Sequence, residues 1–377
     1  MAINLKNFKN NLKALLFGLV FSLILLELGC LLLVESGHIP CGVPSYSLAS
    51  KGPRFWSFLN KDFGPWHYKN TSSRQLGACF DVLHHTNSYG ARDIERPIKS
   101  NKLRTVVLGD SFVEGYAVCD TCRVTNFLEK SLGIPFLNFG VTGGFGPTQC
   151  YVLYEKLAKQ FDHDVVMMGI LPDNDFQDDL PNPGRYHPYW KGRYPNYMLA
   201  YTGEKYLVDE TQKEQEDRDM RWYLRNFSYT MNVADWLEAY VKWRRNMSRQ
   251  VKQMPRGESR FEQFSTEEFD RMRFSIEKIC EAAGEREVIV FLIPRFTDIL
   301  SYEKNGHNPL AEELQSTIDM PNFRLVDLVS GMHATHKEEW VDYYLPCDRH
   351  WSRRGHEVAA ELLGSELEPL LKSNGSL

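Results

Sequence analysis

The sequence predicts a three-layer α/β domain, a mainly parallel five-stranded sheet between layers of helices, with a transmembrane helix at its N-terminus. Three observations carry this. Five short apolar runs recur from Arg104 onward. Helical stretches with one apolar side lie between them, and such alternation gives a parallel sheet covered on both faces. An uninterrupted apolar run, Ala14–Val34, stands ahead of the rest with one charge, Glu27.

That first run has about the length that spans a ~30 Å hydrocarbon core. Lys6, Lys9 and Lys13 precede it without an acid, so residues 1–13 are expected in the cytoplasm and the remainder outside. A cleaved signal peptide is the competing reading, but its apolar region runs to about 7–15 residues and ends in an Ala-x-Ala-like site, absent here. "LELGC" resembles a lipoprotein cleavage site only faintly, because Glu27 occupies a position that is usually apolar. Glu27 within the span is expected to pack on another helix or to sit near the outer leaflet.

Residues 35–100 are rich in Gly, Pro, Ser and aromatics, and read as an extended, mostly irregular lead-in. "HTNSYGARD", His85–Asp93, reads as a tight turn beside a sheet edge. The α/β domain then occupies 101–377. Its strands are "RTVVLGD" from Arg104, "IPFLNFG" to Gly140, "HDVVMMGIL" to Leu171, "REVIVFLIP" to Pro294 and the weaker "FRLVDL" to Leu328. Continuous apolar runs of this kind suit strands buried on both faces.

Helices are expected at 147–161, with Leu153, Leu157 and Phe161 on one side and Pro147 in the first turn. A second carries Phe269, Met272, Ile276 and Ile279 and stops at Gly284. The last carries Val358, Leu362, Leu363, Leu367, Leu370 and Leu371. Residues 180–262 are too long for a simple crossover and read as an insertion or cap beside the top of the sheet. Its aromatics suit stacking on sugar, resting on a membrane, or burying a small core of their own.

The net charge of −5 and the lack of a basic stripe exclude nucleic acid as a partner. There are eight cysteines; with Cys30 in the span an odd number remains outside it, so at least one is unpaired within the chain. "CDTC", Cys119–Cys122, reads as a local disulfide or two plain thiols. Zinc would need a second ligand pair, which is missing. Asn-x-Ser/Thr matches occur at Asn70, Asn226, Asn246 and Asn374.

Ligands of an open parallel sheet bind beyond the carboxyl ends of its strands. Gly109-Asp110-Ser111 follows the first strand, "NFGVTGGFG" from Asn138 the second, and "LPDNDFQDD" from Leu171 the third. "CDRHWSRRGH", Cys347–His356, precedes the final helix. Each segment alone reads as a turn or a cap. Together, in this order, they resemble the SGNH (GDSL-type) esterase and acyltransferase superfamily, and within it the membrane-anchored bacterial members.

The resemblance covers roughly Arg104–Lys372 outside the insertion. It implies the flavodoxin-like SGNH-hydrolase fold. It also implies a nucleophile at Ser111, a base at His350, an orienting acid at Asp348, and oxyanion donors at Ser111, Gly140 and Asn174. Asp110 and His356 are expected to support the site. Asp-x-His replaces the family's usual Asp-x-x-His, so the chain must turn at Arg349 for the two side chains to meet.

The chemistry follows from the residue types. A serine hydroxyl needs a base within hydrogen-bond reach. A carboxylate on the other ring nitrogen fixes the tautomer and stabilises the imidazolium. Gly140 is expected to leave the acyl oxygen an open approach. The function expected is ester hydrolysis through an acyl-enzyme, on O-acyl groups of a cell-surface carbohydrate or lipid. O-acyl transfer by the same triad and non-catalytic glycan binding are the alternatives. No cofactor and no metal is implied; the partners are an acylated glycan or lipid, and the membrane through the first helix.

Overall fold

The computed structural model describes residues 5–39, 41–46, 56–77, 79–204, 220–253 and 259–373. Residues 1–4 of the basic N-terminus, 47–55 of the lead-in, 205–219 of the insertion and Asn374 lie outside the described residues.

After α1 (Leu5–Glu35) the lead-in forms β1 (Trp56–Asn60), β2 (Gly64–His67), β3 (Ser72–Leu76) and β4 (Asp81–His85). Two antiparallel hairpins, β1–β2 and β3–β4, therefore replace the mostly irregular segment expected. The reason is local. Asn60 Oδ1 accepts from the N–H groups of Asp62 and Phe63, and so closes the first turn by a side chain. Strands of four or five residues are too short to announce themselves by periodicity.

The sheet comprises β5 (Thr105–Gly109), β6 (Phe136–Gly140), β7 (Val165–Ile170), β10 (Glu287–Leu292) and β11 (Phe323–Asp327). Its order is β11-β10-β7-β5-β6, and every pairing is parallel. In order of appearance that is 2-1-3-4-5, the flavodoxin-like winding, with its switch point between β5 and β7. Both faces are buried. Val106 and Leu108 of β5 join one core with Val166 and Met168 of β7, while Val107 joins the other with Met167. This is why these strands read as unbroken apolar runs rather than as alternation.

The first core is covered by α4 (Pro147–Lys156), α8 (Thr266–Ala283) and α10 (Pro309–Thr317). The second is covered by α3 (Val124–Leu132), α9 (Phe296–Asn305), α11 (Leu328–His333) and α12 (Arg353–Ser373). Helix α8 starts where Ser265 Oγ accepts from the Glu268 N–H while Glu268 Oε2 accepts from the Ser265 N–H, a reciprocal cap. Two short helices open onto the carboxyl ends of strands, α2 (Ser111–Glu114) after β5 and α5 (Pro172–Asp178) after β7.

The insertion divides in two. The hairpin β8 (His187–Lys191) and β9 (Met198–Thr202) lies against α4 and α8. Trp190 donates to Ser275 Oγ at 2.8 Å and packs edge-on against Phe274 of α8; Tyr197 meets the same ring. These aromatics are spent on burial. The second part holds α6 (Met220–Phe227) and α7 (Tyr229–Gln253), of which α7 turns instead to α1.

Glu27 of α1 accepts from Ser228 Oγ at 2.9 Å and from the N–H groups of Tyr229 and Thr230 at 2.6 and 3.0 Å. The one charge in the apolar run is thus the cap of another helix, satisfying N–H groups that α7 cannot pair within itself. Helix α1 from Asn11 to Glu35 is long and apolar enough to cross a membrane, as an anchor or as a signal sequence.

Two disulfides form, Cys79–Cys347 and Cys119–Cys122. Cys30, Cys41, Cys150 and Cys280 are free and buried.

Candidate active site

The site is assembled where β5 ends. Gly109 has φ 154°, and a Cβ there would meet Val113 Cγ2 at 2.4 Å. The chain can therefore turn directly from strand into α2 only with glycine at this point. Asp110 caps that helix, its Oδ1 accepting the Phe112 N–H at 2.9 Å. Ser111 is the first helical residue, so its N–H is among those the helix leaves unpaired within itself.

Ser111 Oγ lies 2.7 Å from His350 Nε2, and His350 Nδ1 is in short contact with Asp348 Oδ1. Serine, imidazole and carboxylate form one line although 239 residues separate the first two. The Asp-x-His spacing works because Arg349 has φ 74° and points outward, exposed. A non-glycine residue in the left-handed region is strained unless its surroundings hold it. Here Leu345 N–H donates to His350 O at 2.7 Å, Tyr344 bridges Trp351, and Cys347, next to Asp348, is fastened to Cys79. The His350 ring lies between those of Phe112 and Tyr116, with centroids at 4.9 and 4.7 Å.

Asn174, in the first turn of α5, directs Nδ2 toward Asp110 Oδ2 at 3.5 Å. Asp110 is fully buried, and desolvation pushes its carboxyl up to about 6, against the hydrogen bond from Phe112. His356 is buried in the first turn of α12, where Nδ1 accepts the Val124 N–H at 3.2 Å and so caps α3. Burial, with Arg92 and Arg123 nearby, lowers it to about 3; it is a neutral acceptor. Its ring meets Trp351, which in turn meets Phe112.

A Cβ on Gly140 would stand 2.1 Å from the Glu114 backbone nitrogen, so glycine is needed for α2 to pack on β6. Its N–H is given to Asn138 Oδ1 at 2.9 Å.

Three supporting residues were not singled out in the sequence. Asn138 is buried and also donates to Val113 O at 2.7 Å, tying the Gly140 peptide to α2. Glu114 is fully buried and accepts the Thr142 N–H in the Gly-rich loop. Burial opposes its charge, but His67 and Arg92 outweigh that and lower it to about 2. Arg92, from the lead-in, donates to Glu114 O and Gly115 O at the end of α2 and to Val118 O beyond it. "NFG", "SFVEG" and "GARD" contain these residues, but nothing in any of the strings says that the polar group is buried.

A cavity of about 410 Å³ lined by Ser100, Lys102, Asp162, His163 and Arg286 opens at the amino end of the sheet, away from this machinery. At the carboxyl end the triad is partly open: the His350 and Asp348 side chains are 24% and 25% exposed.

No protein-family model and no curated protein sequence matches the chain. It is similar in structure to a member of the lipolytic protein G-D-S-L family from Veillonella parvula, with 13% identity over 69% of this chain and 95% of that one, TM-score 0.35. It is also similar to the lipase/acylhydrolase from Enterococcus faecalis, with 13% identity over 71% and 96%, TM-score 0.36. A third is a carbohydrate esterase family 2 enzyme with its carbohydrate-binding domain from Corynascus thermopiles, with 11% identity over 74% and 69%, TM-score 0.37. Likenesses this distant decide neither reaction nor substrate; the side-chain geometry has to.

Proposed function

We propose that the protein is a serine ester hydrolase that works through an acyl-enzyme on Ser111. The observation that carries this is the continuous contact from Ser111 Oγ through the His350 ring to Asp348. His350 Nε2 accepts the hydroxyl proton as Oγ attacks the acyl carbon, and returns it to the leaving alcohol. Asp348 holds Nδ1–H and stabilises the imidazolium. Water, activated by the same His350, then attacks the acyl-enzyme and releases the acid.

The oxyanion is met by the Ser111 N–H and the Asn174 amide. The Gly140 N–H joins them by sharing its bond with Asn138 Oδ1. The matched residues support the SGNH reading, and O-acyl groups of a surface glycan or lipid are the proposed substrates. Hydrolysis is favoured over transfer because the insertion's hairpin aromatics pack on helices α4 and α8 and leave the His350 and Asp348 side chains a quarter exposed, so that water can reach the base beside the buried Ser111. Two disulfides and the apolar first helix support an oxidising compartment outside the cytoplasm, reached by a single-pass anchor.

The test is p-nitrophenyl acetate turnover and labelling by a serine-directed phosphonate, for the full chain and its Ser111→Ala variant, with an oligosaccharide acceptor added. Turnover and labelling should both vanish in the variant, with a loss on the order of a million-fold in kcat. Labelling that survives refutes the nucleophile. Acetylated sugar in place of free acetate turns the assignment to a transferase.

A further inference from the structure

We propose that α6 is seated in the outer half of the bilayer that α1 crosses, its apolar face in contact with lipid. The inference goes beyond the esterase reading and rests only on α1 being a membrane span.

Met220, Tyr223, Leu224 and Phe227 recur at i, i+3, i+4 and i+7, so they share one face of α6. In a soluble helix that face turns to the core. Here all four are exposed, from 39% at Tyr223 to 73% at Met220. The polar side carries Arg221 and Arg225, which both pair with Asp235 of α7 while staying about half exposed, and Asn226, which accepts from Ser45 Oγ.

Its position explains why. The corner between α6 and α7 is bound to Glu27, with Tyr229 N–H on Oε1 and Ser228 Oγ and Thr230 N–H on Oε2. Glu27 lies seven residues before Val34, the last residue of the apolar run, which is about 10 Å of helix. That is the depth, about 5–10 Å, at which interfacial helices bury their apolar faces. Tyr229 reaches outward from the corner, its hydroxyl donating to Glu35 at 2.6 Å. Arg221 and Arg225, on the opposite side of α6, are about half exposed at 51% and 43%, as the cations on the polar face of an interfacial helix are.

The corner from which α6 leaves is thus held at the level of Glu27. A second copy of the chain is the weaker occupant. An eight-residue helix is about 12 Å long and presents far less than the ~800 Å² per partner of a stable interface.

The test uses the full chain in phosphatidylcholine nanodiscs, with a nitroxide at Leu224→Cys or, independently, Phe227→Cys. Reference labels are placed at Leu19→Cys in α1 and Lys159→Cys on exposed surface. The unlabelled cysteines are buried or in disulfides, and retained phosphonate labelling of Ser111 reports the fold. The oxygen-to-nickel-chelate accessibility ratio at 224 and 227 should match that at 19 and exceed that at 159 several-fold. A water-like ratio at 224 and 227 with a lipid-like one at 19 overturns the seat and leaves the anchor. A water-like ratio at 19 removes both. Dipolar broadening between labels at 224 that grows with the number of chains per disc overturns the seat in favour of self-association.

Discussion

His350 faces Ser111 with one nitrogen and Asp348 with the other, and each contact answers for a different part of the rate. Asp348→Asn keeps the shape but offers Nδ1 an amide, so the ring can settle in the wrong tautomer; kcat should fall about 10⁴-fold. Steady-state kinetics check this, and a fall below tenfold removes Asp348 from the triad. In the proposed mechanism Asn174→Ala withdraws a donor that the developing oxyanion needs more than the ground state does. It should lower kcat by about 10²–10³ with KM little changed, and a change in KM alone would make Asn174 a substrate-binding residue. The residues that could be read ahead of the structure are those whose chemistry is written in their type and whose place is a strand end: Ser111, Asn174, Asp348 and His350. The turn at Arg349 could be read from the Asp-x-His spacing, but not what holds its φ of 74°, the bridge and disulfide around it. Asn138, Glu114 and Arg92 could not be read, because their role depends on burial by distant chain. Gly140 was legible as a requirement for glycine, but the atom that demands it, Glu114 N, was not.

Elements were legible in proportion to how completely they are buried. The five sheet strands announce themselves because both faces are apolar, whereas the lead-in hairpins, α2, α3, α5 and α9 carry short or mixed patterns. Polar joints between elements are equally silent, and Asp179 is one. Its backbone N–H closes α5 on Asp175 O, and its Oδ1 accepts the Thr148 N–H at 2.8 Å, so one residue ends one helix and opens another. It is fully buried, and desolvation raises it to about 7 against that hydrogen bond. A carboxyl whose folded pKa is raised binds its proton more tightly folded than unfolded. Its ionisation therefore opposes folding as pH rises from about 4 to 7, and the penalty is complete above that. Asp179→Asn keeps the acceptor and removes the charge. The variant should be more stable than the parent at pH 8, by about 1–4 kcal/mol, and nearly equal to it at pH 4. Urea midpoints at the two pH values decide it; an equal difference at both means that the charge is not the cause.

At the scale of the molecule, α1 and the catalytic domain are joined through α7. Tyr229 belongs to the cluster around Cys30 and Val34, while Trp236, two turns on, touches both that cluster and the one containing Cys79, Ala117 and Leu345. The second cluster borders the site, since Tyr116 packs on it and on the His350 ring. The end of α1 and the base of the triad are thus linked through Trp236, this second cluster and Tyr116. What holds this joint is the cap that Glu27 places on α7. Glu27→Ala leaves the N–H groups of Tyr229 and Thr230 without their acceptor, a loss of about 0.5–2 kcal/mol. If the joint opens locally, hydrogen exchange over Tyr229–Val233 in the full chain should speed up by about 2- to 30-fold, while β5 and β7 keep their protection. Phosphonate labelling of Ser111 should change little, because Gly109, Asp110 and α2 are held by the sheet. Unchanged exchange at Tyr229–Val233 would mean that apolar packing against Cys30 and Val34 carries the joint, and Glu27 would again be an unexplained charge in an apolar run.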